Sequence, residues 1–165
     1  MTKKLKISVI TVSYNQGRFI EENILSVLNQ KYENFEHIII DACSKDNTLD
    51  ILKKYDHLIW TSEPDKGQSD GLNKGFRKAT GDVIVWLNSD DAMCDGAFEV
   101  LNKFFTENPD KHVVTGNQVF INGNSEVDHI IKAEPFTYER LLNTRYCSVM
   151  QNSTVFRKEV LDKVG

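Results

Sequence analysis

The chain has 165 residues, of which 40% are hydrophobic and 27% are charged, a composition typical of a soluble globular protein. This length is enough for one domain with a substantial core and hardly enough for two. The formal net charge of −4 at pH 7 offers no positive footprint for a phosphate backbone, so we predict no nucleic-acid partner.

The three cysteines are odd in number and widely separated, and the sequence contains no CxxC pair. This pattern indicates neither a disulfide framework nor a zinc site and is typical of a reducing compartment. The first apolar run, Ile7 to Val12, is too short for a signal sequence or a membrane span, so we predict a cytoplasmic protein. Lys3, Lys4 and Lys6 could contact anionic lipid, which leaves a peripheral association with the membrane open.

Hydrophobic periodicity predicts strands and helices that alternate along the chain. The first four predicted strands are LKISVITVSY, FEHIIIDA, HLIWTSE and DVIVWLN. Each is followed by a helical stripe of apolar residues, and these stripes begin at Ile20, Leu49, Leu72 and Phe98. Asp46 and Asp95 are the predicted N-caps of the second and fourth helices. Trp60 and Trp86 fall on predicted strands and are interpreted as core residues.

The segment KHVVTGNQVFING is predicted to hold one or two further strands, with a hairpin turn at Asn122–Gly123. Beyond about Asp128 the signals weaken, although FTYERLLN has a helical pattern and SVMQNSTVFRKEVLDKVG indicates a short strand followed by a helix. The alternation predicts an α/β fold, with a mostly parallel, Rossmann-like sheet and helices on both faces.

Polar side chains follow the first four predicted strands at the point where each strand ends. In chain order they are Ser13, Tyr14 and Asn15, then Asp41, then Glu63 and Asp65, and finally Asn88, Ser89, Asp90 and Asp91. Ligands of open α/β sheets bind outside the carboxyl ends of the strands. Five carboxylates at one edge cost free energy unless cations or hydrogen-bond donors compensate them.

A ligand that carries Mg²⁺ or Mn²⁺ would supply this compensation. Mg²⁺ is usually held by one or two carboxylates together with substrate phosphates and water, which fits the adjacent pair Asp90 and Asp91. Taken alone, the pair could equally be a solvated turn after a strand. We therefore predict a divalent cation site at this pair on the strength of the other polar strand ends.

The same edge contains groups that could bind a nucleotide. Asp41 can accept a hydrogen bond from an imide N–H such as that of uracil, and Tyr14 offers a flat face for a base. A helix that begins near Gly67, with Lys66 beside it, could present backbone N–H groups to a phosphate. The sequence contains neither GxGxxG nor GxxxxGK[ST], so a dinucleotide-binding fold and a P-loop ATPase are not supported.

Two long segments resemble the family 2 glycosyltransferases, which are inverting enzymes with the GT-A fold. They are ISVITVSYNQGRFIEENILSVLNQKYENFEHIIIDACSKDNT and SEPDKGQSDGLNKGFRKATGDVIVWLNSDD. The order and spacing of EPDKGQ, LNKG and LNSDD are far more specific than an Asp pair alone. The resemblance implies a nucleotide-sugar-binding core over residues 1–122 and the start of an acceptor-side region over residues 123–165, with the chain an N-terminal fragment.

The resemblance also implies an activity: transfer of a sugar from a nucleotide diphosphate to a glycan or lipid-linked acceptor, with inversion, as in polysaccharide biosynthesis. A UDP-sugar is the favoured donor because Asp41 suits an imide. The implied nucleotide-binding residues are Val12, Ser13, Tyr14, Asn15, Asp41, Asp65, Lys66, Gly67 and Asp90. Asn88 to Asp91 occupy the position of the DXD-type motif, so that Asp91 and Asp90 are the implied ligands of Mg²⁺ or Mn²⁺.

Three features depart from the family pattern. Asn88 stands where related motifs have an acidic residue, and Ala42–Cys43 replace the usual Gly-Ser that follows the second strand. The third is the general base, which in the family lies in the acceptor-binding part. The chain does contain candidate carboxylates, such as Glu126, Asp128, Glu134 and Glu139, but they sit in no recognisable motif. We therefore expect the base beyond Gly165.

Three other functions compete with this interpretation. A sugar nucleotidyltransferase would carry a Gly-rich basic loop after the first strand, and Gly17–Arg18 matches such a loop only weakly. A phospho-receiver domain has its Asp pair after the first strand, whereas the pair here follows the fourth. A non-catalytic nucleotide-sugar-binding module would need no base and is compatible with every residue named above.

Overall fold

The computed structural model describes residues 4–135, 137–143 and 149–164, so Cys147 lies outside the described residues. The strands are β1 (Ile7–Ser13), β2 (Phe35–Asp41), β3 (Leu58–Ser62), β4 (Val83–Trp86), β5 (Val113–Thr115), β6 (Gln118–Ile121), β7 (Val127–Ile131) and β8 (Thr154–Arg157). The helices are α1 (Ile20–Leu28), α2 (Thr48–Leu52), α3 (Gln68–Lys78), α4 (Ala97–Glu107), α5 (Tyr138–Asn143) and α6 (Glu159–Val164). A 3₁₀ turn at Gln151–Ser153 precedes β8. Every element predicted from the sequence is present.

Six strands form one sheet in the order β3-β2-β1-β4-β8-β5, and β6 pairs with β7 in a separate hairpin. The strands β1 to β4 are mutually parallel, while β8 runs antiparallel to both β4 and β5. The predicted mostly parallel sheet is therefore confirmed. The chain enters β1 in the middle of the sheet, adds β2 and β3 on one side, and then crosses to β4 on the other.

Helices cover both faces of this sheet because successive residues of a strand point to opposite sides. On one side Val9 of β1 packs with Val27 of α1 and the fully buried Phe98 of α4. On the other side Ile10 packs with Leu72 of α3. Both faces are consequently apolar along the central strands, which explains their near-continuous hydrophobic sequences.

Helix α3 lies close against β1 because two glycines occupy the side of the helix that faces the sheet. A Cβ atom at Gly75 would overlap the Ile10 side chain, and one at Gly71 would lie 3.1 Å from a methyl carbon of Val12. Both glycines are buried. Their small size brings the first turn of α3 beside the carboxyl end of β1.

The details of two helix starts differ from the sequence predictions. Asp95 is not the N-cap of α4, because Gly96 occupies that position with φ of 74°, and its lack of a Cβ suits this left-handed conformation. For α2 the N-cap position belongs to Asn47. Asp46 still satisfies the first turn, since its Oδ1 accepts the N–H of Thr48 at 3.0 Å.

The β6–β7 hairpin is joined by a loop longer than the predicted turn at Asn122–Gly123. The Asn122 Oδ1 accepts the N–H groups of Asn124 and Glu126, and Ser125 rather than Gly123 takes the positive φ. The side-chain acceptor replaces a tight two-residue turn.

Strand β8 comes from the region predicted to begin an acceptor-side part of the protein, yet it lies between β4 and β5 of the main sheet. The sheet itself therefore includes residues on both sides of position 122. The functional division between residues 1–122 and 123–165 stays a prediction. No helix within the described ranges is both long and apolar enough to cross a bilayer.

Candidate functional site

A cleft of about 690 Å³ opens at the carboxyl ends of the central strands. It lies where the connection from β1 leaves toward β2 and the chain later returns to β4 on the opposite side, which is the switch point at which open α/β sheets bind ligands. Six residues predicted to bind the nucleotide line it: Val12, Ser13, Tyr14, Asp65, Gly67 and Asp90. Four predicted site residues are not in its lining: Asn15, Asp41, Lys66 and Asp91.

The loops after β1 and β2 are joined by hydrogen bonds, and this explains the position of Asn15. Its backbone N–H donates to the Ser44 Oγ at 2.8 Å, and its side-chain Oδ1 accepts the N–H of Lys45 at 2.7 Å. Asn15 adopts a φ of 54°, a left-handed conformation that Asn tolerates better than most residues. Asn15 therefore shapes the wall of the cleft by connecting its two loops.

Asp41 is fully buried below the cleft. Its carboxylate accepts hydrogen bonds from the backbone N–H and the hydroxyl of Ser44 and from the hydroxyl of Ser62, the last at 2.6 Å. These three donors use most of the roughly four acceptor sites of a carboxylate, so a base that reached Asp41 would share it with them. Its role as a base reader stays a prediction, and the geometry favours an indirect role in which Asp41 holds the loop that carries Ala42 and Cys43 into the cleft.

The first turn of α3 closes another side of the cleft. Gly67 precedes the helix with φ of 110°, a conformation that favours glycine, and its N–H donates to the Asp65 Oδ1 at 2.9 Å. The N–H of Lys66 donates to the Asp70 Oδ2 at 3.2 Å, and the Lys66 residue is exposed. Asp65 is therefore used within its own loop, and the phosphate-binding role of Lys66 stays a prediction.

The structure reduces the number of carboxylates that need an external partner. Asp41 and Asp65 accept the internal hydrogen bonds given above, and Glu63 pairs with the Lys74 Nζ at 3.0 Å. Within the part of the chain that the structure describes, no lysine, arginine or histidine forms an ion pair with Asp90 or Asp91. The hydrogen bond from Asn88 leaves the charge of Asp91 without a cationic partner, so the case for a bound cation at this edge is strongest for Asp90 and Asp91.

The turn Asn88 to Asp91 is held from below by Asn23 of α1. The Asn23 Nδ2 donates to the backbone oxygens of Asn88 and Asp91, each at 2.8 Å. The backbone N–H of Asp91 also donates to the backbone oxygen of Asn88, at 3.0 Å. Asn23 is 1% exposed and lies among the apolar residues of the helix. A polar residue within an apolar stripe was the available sequence signal for this contact, and the sequence interpretation missed it.

The Asn88 side chain connects several elements around the turn. Its Oδ1 accepts the indole N–H of Trp86 at 3.0 Å, and its Nδ2 donates to the Asp91 Oδ2 at 3.0 Å and to the Gln151 Oε1 at 2.9 Å. Trp86 packs on the core as predicted but also fixes the orientation of this amide. The sequence interpretation assigned no role to Gln151.

Asp90 and Asp91 differ in their surroundings. Asp90 is exposed and lines the cleft, whereas Asp91 is partly buried. Burial raises the pKa of Asp91 from its ordinary value, the hydrogen bond from Asn88 opposes this, and the charge of Asp90 adds to the increase. A cation would reverse these unfavourable effects on the ionised carboxylate.

Carboxylate oxygens are ligands that Mg²⁺ and Mn²⁺ prefer, so the chemistry of Asp90 and Asp91 suits such an ion, although only Asp90 lines the cleft. In residues 4–135, 137–143 and 149–164 no group of three His, Cys, Asp or Glu side chains could hold a metal by itself. Oxygens of a bound ligand would have to complete the coordination, as expected for Mg²⁺ bound together with phosphates.

The remaining described residues that line the cleft were not named as binding residues from the sequence. They are Gln16, Ala42, Cys43, Pro64, Gln68, Asn88 and Ser89. Ala42 and Cys43 could have been found as neighbours of Asp41, since parallel strand ends share one edge of a sheet. The carboxylates considered as general base are absent from this lining, and no described residue is assigned that role.

The sheet and its cleft define a GT-A fold, and solved structures of that fold superpose on the chain. The Staphylococcus aureus TarS fragment 1–349 in complex with UDP-GlcNAc gives a TM-score of 0.75 at 24% identity, over 96% of this chain and 47% of that chain. The mannosyltransferase PcManGT from Pyrobaculum calidifontis, in complex with GDP-Man and Mn²⁺, gives 0.71 at 18% identity, over 99% and 48%. These similarities establish the fold.

The chain belongs to glycosyl transferase family 2, whose family model matches residues 8–165. One relative is the UDP-Glc:alpha-D-GlcNAc-diphosphoundecaprenol beta-1,3-glucosyltransferase WfgD of Escherichia coli, which is 34% identical over 82% of this chain and 54% of its own. Another is the poly(ribitol-phosphate) beta-N-acetylglucosaminyltransferase TarP of Staphylococcus aureus (strain N315), 29% identical over 96% and 50%. The chain spans about half the length of these relatives.

Proposed function

We propose that the chain forms the donor-binding part of a glycosyltransferase that transfers a sugar, with inversion, from a UDP-sugar to a glycan or lipid-linked acceptor. The observation that carries this proposal is the cleft at the switch point, where the loops after β1 and β2 meet the turn that bears Asp90 and Asp91. The names of WfgD and TarP support a sugar donor and a polymeric or diphosphoundecaprenol-linked acceptor.

The uridine base lies between Tyr14 and the loop of Ala42 and Cys43 in this proposal. Tyr14 is 59% exposed at the rim, where its ring is free to stack on a base. Ser13 lines the cleft, and its buried hydroxyl has no hydrogen-bond partner within the described residues. A buried hydroxyl without a partner is costly, so a ligand that bonds to it gains free energy.

The diphosphate of the donor lies toward the turn of Asp90 and Asp91. These two residues would hold Mg²⁺ or Mn²⁺ together with the phosphate oxygens, and the bound cation would stabilise the negative charge of the departing diphosphate. Asp91 is kept in place by Asn88, while the exposed Asp90 is free to contact the ribose or the donor sugar. The complex of PcManGT with GDP-Man and Mn²⁺ supports a divalent cation as part of the donor site.

Inverting transfer requires the acceptor oxygen to attack the anomeric carbon from the face opposite the diphosphate. A base must remove the proton of that hydroxyl, and we assign none of the described carboxylates to this step. The described residues bind and orient the donor. A non-catalytic nucleotide-sugar-binding module therefore stays open as a second function for this chain, and hydrolysis of a UDP-sugar by the chain would distinguish an active donor site from it.

The loop after β1 does not favour a sugar nucleotidyltransferase. Such an enzyme would need free backbone N–H groups at Gly17 to bind phosphate, but the N–H of Gly17 donates to the Asp46 Oδ2 at 2.9 Å. The phosphate-binding loop that a nucleotidyltransferase requires is therefore occupied by an internal contact.

Peripheral membrane binding by a cytoplasmic protein would depend on the lysines near the amino terminus. Two of them already have acidic partners, since Lys4 pairs with Glu99 at 2.8 Å and Lys6 with Glu36 at 2.7 Å. Of the three lysines, Lys3 is therefore the one on which contact with anionic lipid would depend, and it lies outside the described residues.

Calorimetric titration of UDP into the chain, with Mn²⁺ or with EDTA, tests the proposed donor and metal site. Asp91→Ala should weaken UDP binding in Mn²⁺ on the order of a hundredfold, since even partners that only orient metal ligands contribute tenfold to a hundredfold. The matched control is Asp95→Ala, an exposed aspartate four residues later that lies outside the cleft. Equal UDP affinity of Asp91→Ala and the unaltered chain in Mn²⁺ would contradict the proposal.

A further inference from the structure

The 3₁₀ turn before β8 reaches the acidic turn after β4 through Gln151. The Gln151 Nε2 donates to the backbone oxygen of Trp86 at 3.1 Å, and its Oε1 accepts the Nδ2 of Asn88 at 2.9 Å. These contacts join positions 65 and 63 residues apart in the sequence. We call Gln151 and Asn88 the amide brace.

The polarity of the amide brace follows from groups that have only one possible role. The carbonyl oxygen of Trp86 can only accept, so the NH₂ group of Gln151 faces it and the Gln151 oxygen faces Asn88. The indole N–H of Trp86 can only donate, so the Asn88 oxygen faces the indole. Asn88 must then direct its NH₂ group toward Gln151 and Asp91.

Both hydrogens of the Asn88 amide are consequently used as donors. One bonds to Gln151, and the other bonds to the Asp91 Oδ2 at 3.0 Å. The neighbouring Asn152 side chain also opposes the rise that burial causes in the pKa of Asp91. The segment before β8 therefore reaches the Asp91 carboxylate through the amide brace.

We propose that Gln151 is a positioning residue that, through Asn88, orients the Asp91 carboxylate to receive a divalent cation together with a nucleoside diphosphate. This inference rests on the proposed function, because it needs the cation site at Asp91. It also gives a physical reason for the amide at position 88, which departs from the acidic residue of related motifs. A carboxylate there could not donate to Gln151 or Asp91.

A purely structural role for Gln151 predicts a different result. In that case Gln151 would only anchor β8 to β4, and its loss would lower the free energy of unfolding without changing how UDP binding depends on the cation. The positioning role predicts a selective loss of cation-dependent binding, since the carboxylate would remain present but less well oriented.

The test is calorimetric titration of UDP into the 165-residue chain, in Mn²⁺ and in EDTA, for the variant Gln151→Met. Methionine has a similar length but cannot accept the Asn88 hydrogen bond with comparable strength. We expect UDP affinity in Mn²⁺ to fall about tenfold, equivalent to about 1.4 kcal/mol, and UDP affinity in EDTA to stay within about twofold. Ser153→Ala is the matched control in the same 3₁₀ turn, because the Ser153 hydroxyl bonds only weakly, to the Met150 oxygen at 3.4 Å.

A second variant, Asn88→Asp, carries the test if Gln151→Met does not fold. It places a carboxylate against the oxygens of Gln151 and Asp91, so we expect weaker UDP binding in Mn²⁺ despite the added negative charge. Tighter binding would show that position 88 provides a metal ligand and would overturn the inference.

The outcomes separate this inference from the proposed function. If the unaltered chain binds UDP equally well in Mn²⁺ and in EDTA, the proposed metal site fails and the inference fails with it. If the unaltered chain depends on Mn²⁺ and Gln151→Met depends on it to the same degree, only the inference is overturned. A selective loss in Mn²⁺ for Gln151→Met, with Ser153→Ala unchanged, supports both.

Discussion

The two rims of the central sheet both carry acidic side chains, but their surroundings differ. At the amino-end rim Glu36 is 8% exposed and pairs with the Lys6 Nζ at 2.7 Å. It also accepts hydrogen bonds from the Ser8 hydroxyl at 2.6 Å and from the N–H of Thr80 at 2.6 Å. Burial alone would raise the pKa of Glu36, but these partners outweigh it and lower the pKa to about 2.

At the carboxyl-end rim the situation is reversed for Asp91. Burial raises its pKa, and the hydrogen bond from Asn88 does not overcome this effect. No basic residue among those described pairs with Asp91 or with its neighbour Asp90. A buried carboxylate with a complete set of donors stabilises the fold, whereas one that lacks a cation is suited to bind one. The comparison thus separates an acid whose partners lie within the fold from an acid to which the proposed function assigns a cation.

The largest effect on stability is expected for Glu36→Gln at the amino-end rim. Loss of the charge should lower the free energy of unfolding by about 2 kcal/mol, less than the roughly 3–5 kcal/mol for a fully buried pair, because Lys6 is one-third exposed. Urea unfolding measures this change. UDP affinity of the folded variant should not change, and a loss of UDP affinity would break the distinction between the two rims.

The same stability difference should depend on pH. The pKa of Glu36 is lowered from 4.5 to about 2 in the folded chain, so its contribution is present above about pH 4.5 and is lost as the pH falls toward 2. Unfolding free energies of the unaltered chain and Glu36→Gln should therefore converge as the pH falls from about 4.5 toward 2. A constant difference over this range would mean that Glu36 is not the titrating group.

A smaller effect is expected for Tyr14→Ala at the carboxyl-end rim. Stacking of a base on an aromatic ring contributes about 1–3 kcal/mol, so UDP affinity should fall about tenfold in Mn²⁺ and in EDTA alike. The exposed position of Tyr14 implies a change in unfolding free energy within about 0.5 kcal/mol. Tyr14→Phe, which keeps the ring, is the control and should bind UDP as the unaltered chain does.

The sharpest test of the comparison sets the single variant Tyr14→Ala beside the single variant Glu36→Gln. The first should change ligand affinity without stability, and the second should change stability without ligand affinity. A variant that changed both quantities would indicate that the two rims are coupled through β1, which extends from one rim to the other.

Much of the fold could be predicted from the sequence because hydrophobic periodicity is a local property. The apolar runs of β1, β2 and β4 and the helical stripe that begins at Ile20 identify elements without knowledge of their partners. Parallel strands also bring their carboxyl ends to one edge, which is why Val12, Tyr14 and Asp90 could be placed at one cleft. These inferences need only the order of the elements.

The compensation of the acidic residues could not be predicted in this way. Asp41 appeared free to read a base, but Ser62, which comes from the neighbouring strand β3, donates to it. Glu63 appeared to need a cation, but it pairs with Lys74, which lies in the following helix α3. In both cases the partner is brought close only by the packing of the sheet and of α3.

The sequence by itself determined the strands, the helices, their order and the edge of the sheet at which the polar residues collect. Only the tertiary structure decided which of those polar residues are satisfied internally and which remain for a ligand. It also brought Gln151 to Asn88, through the antiparallel pairing of β8 with β4. The physical reason is that periodicity reports burial along one element, while the state of a carboxylate depends on donors from elements distant in the sequence.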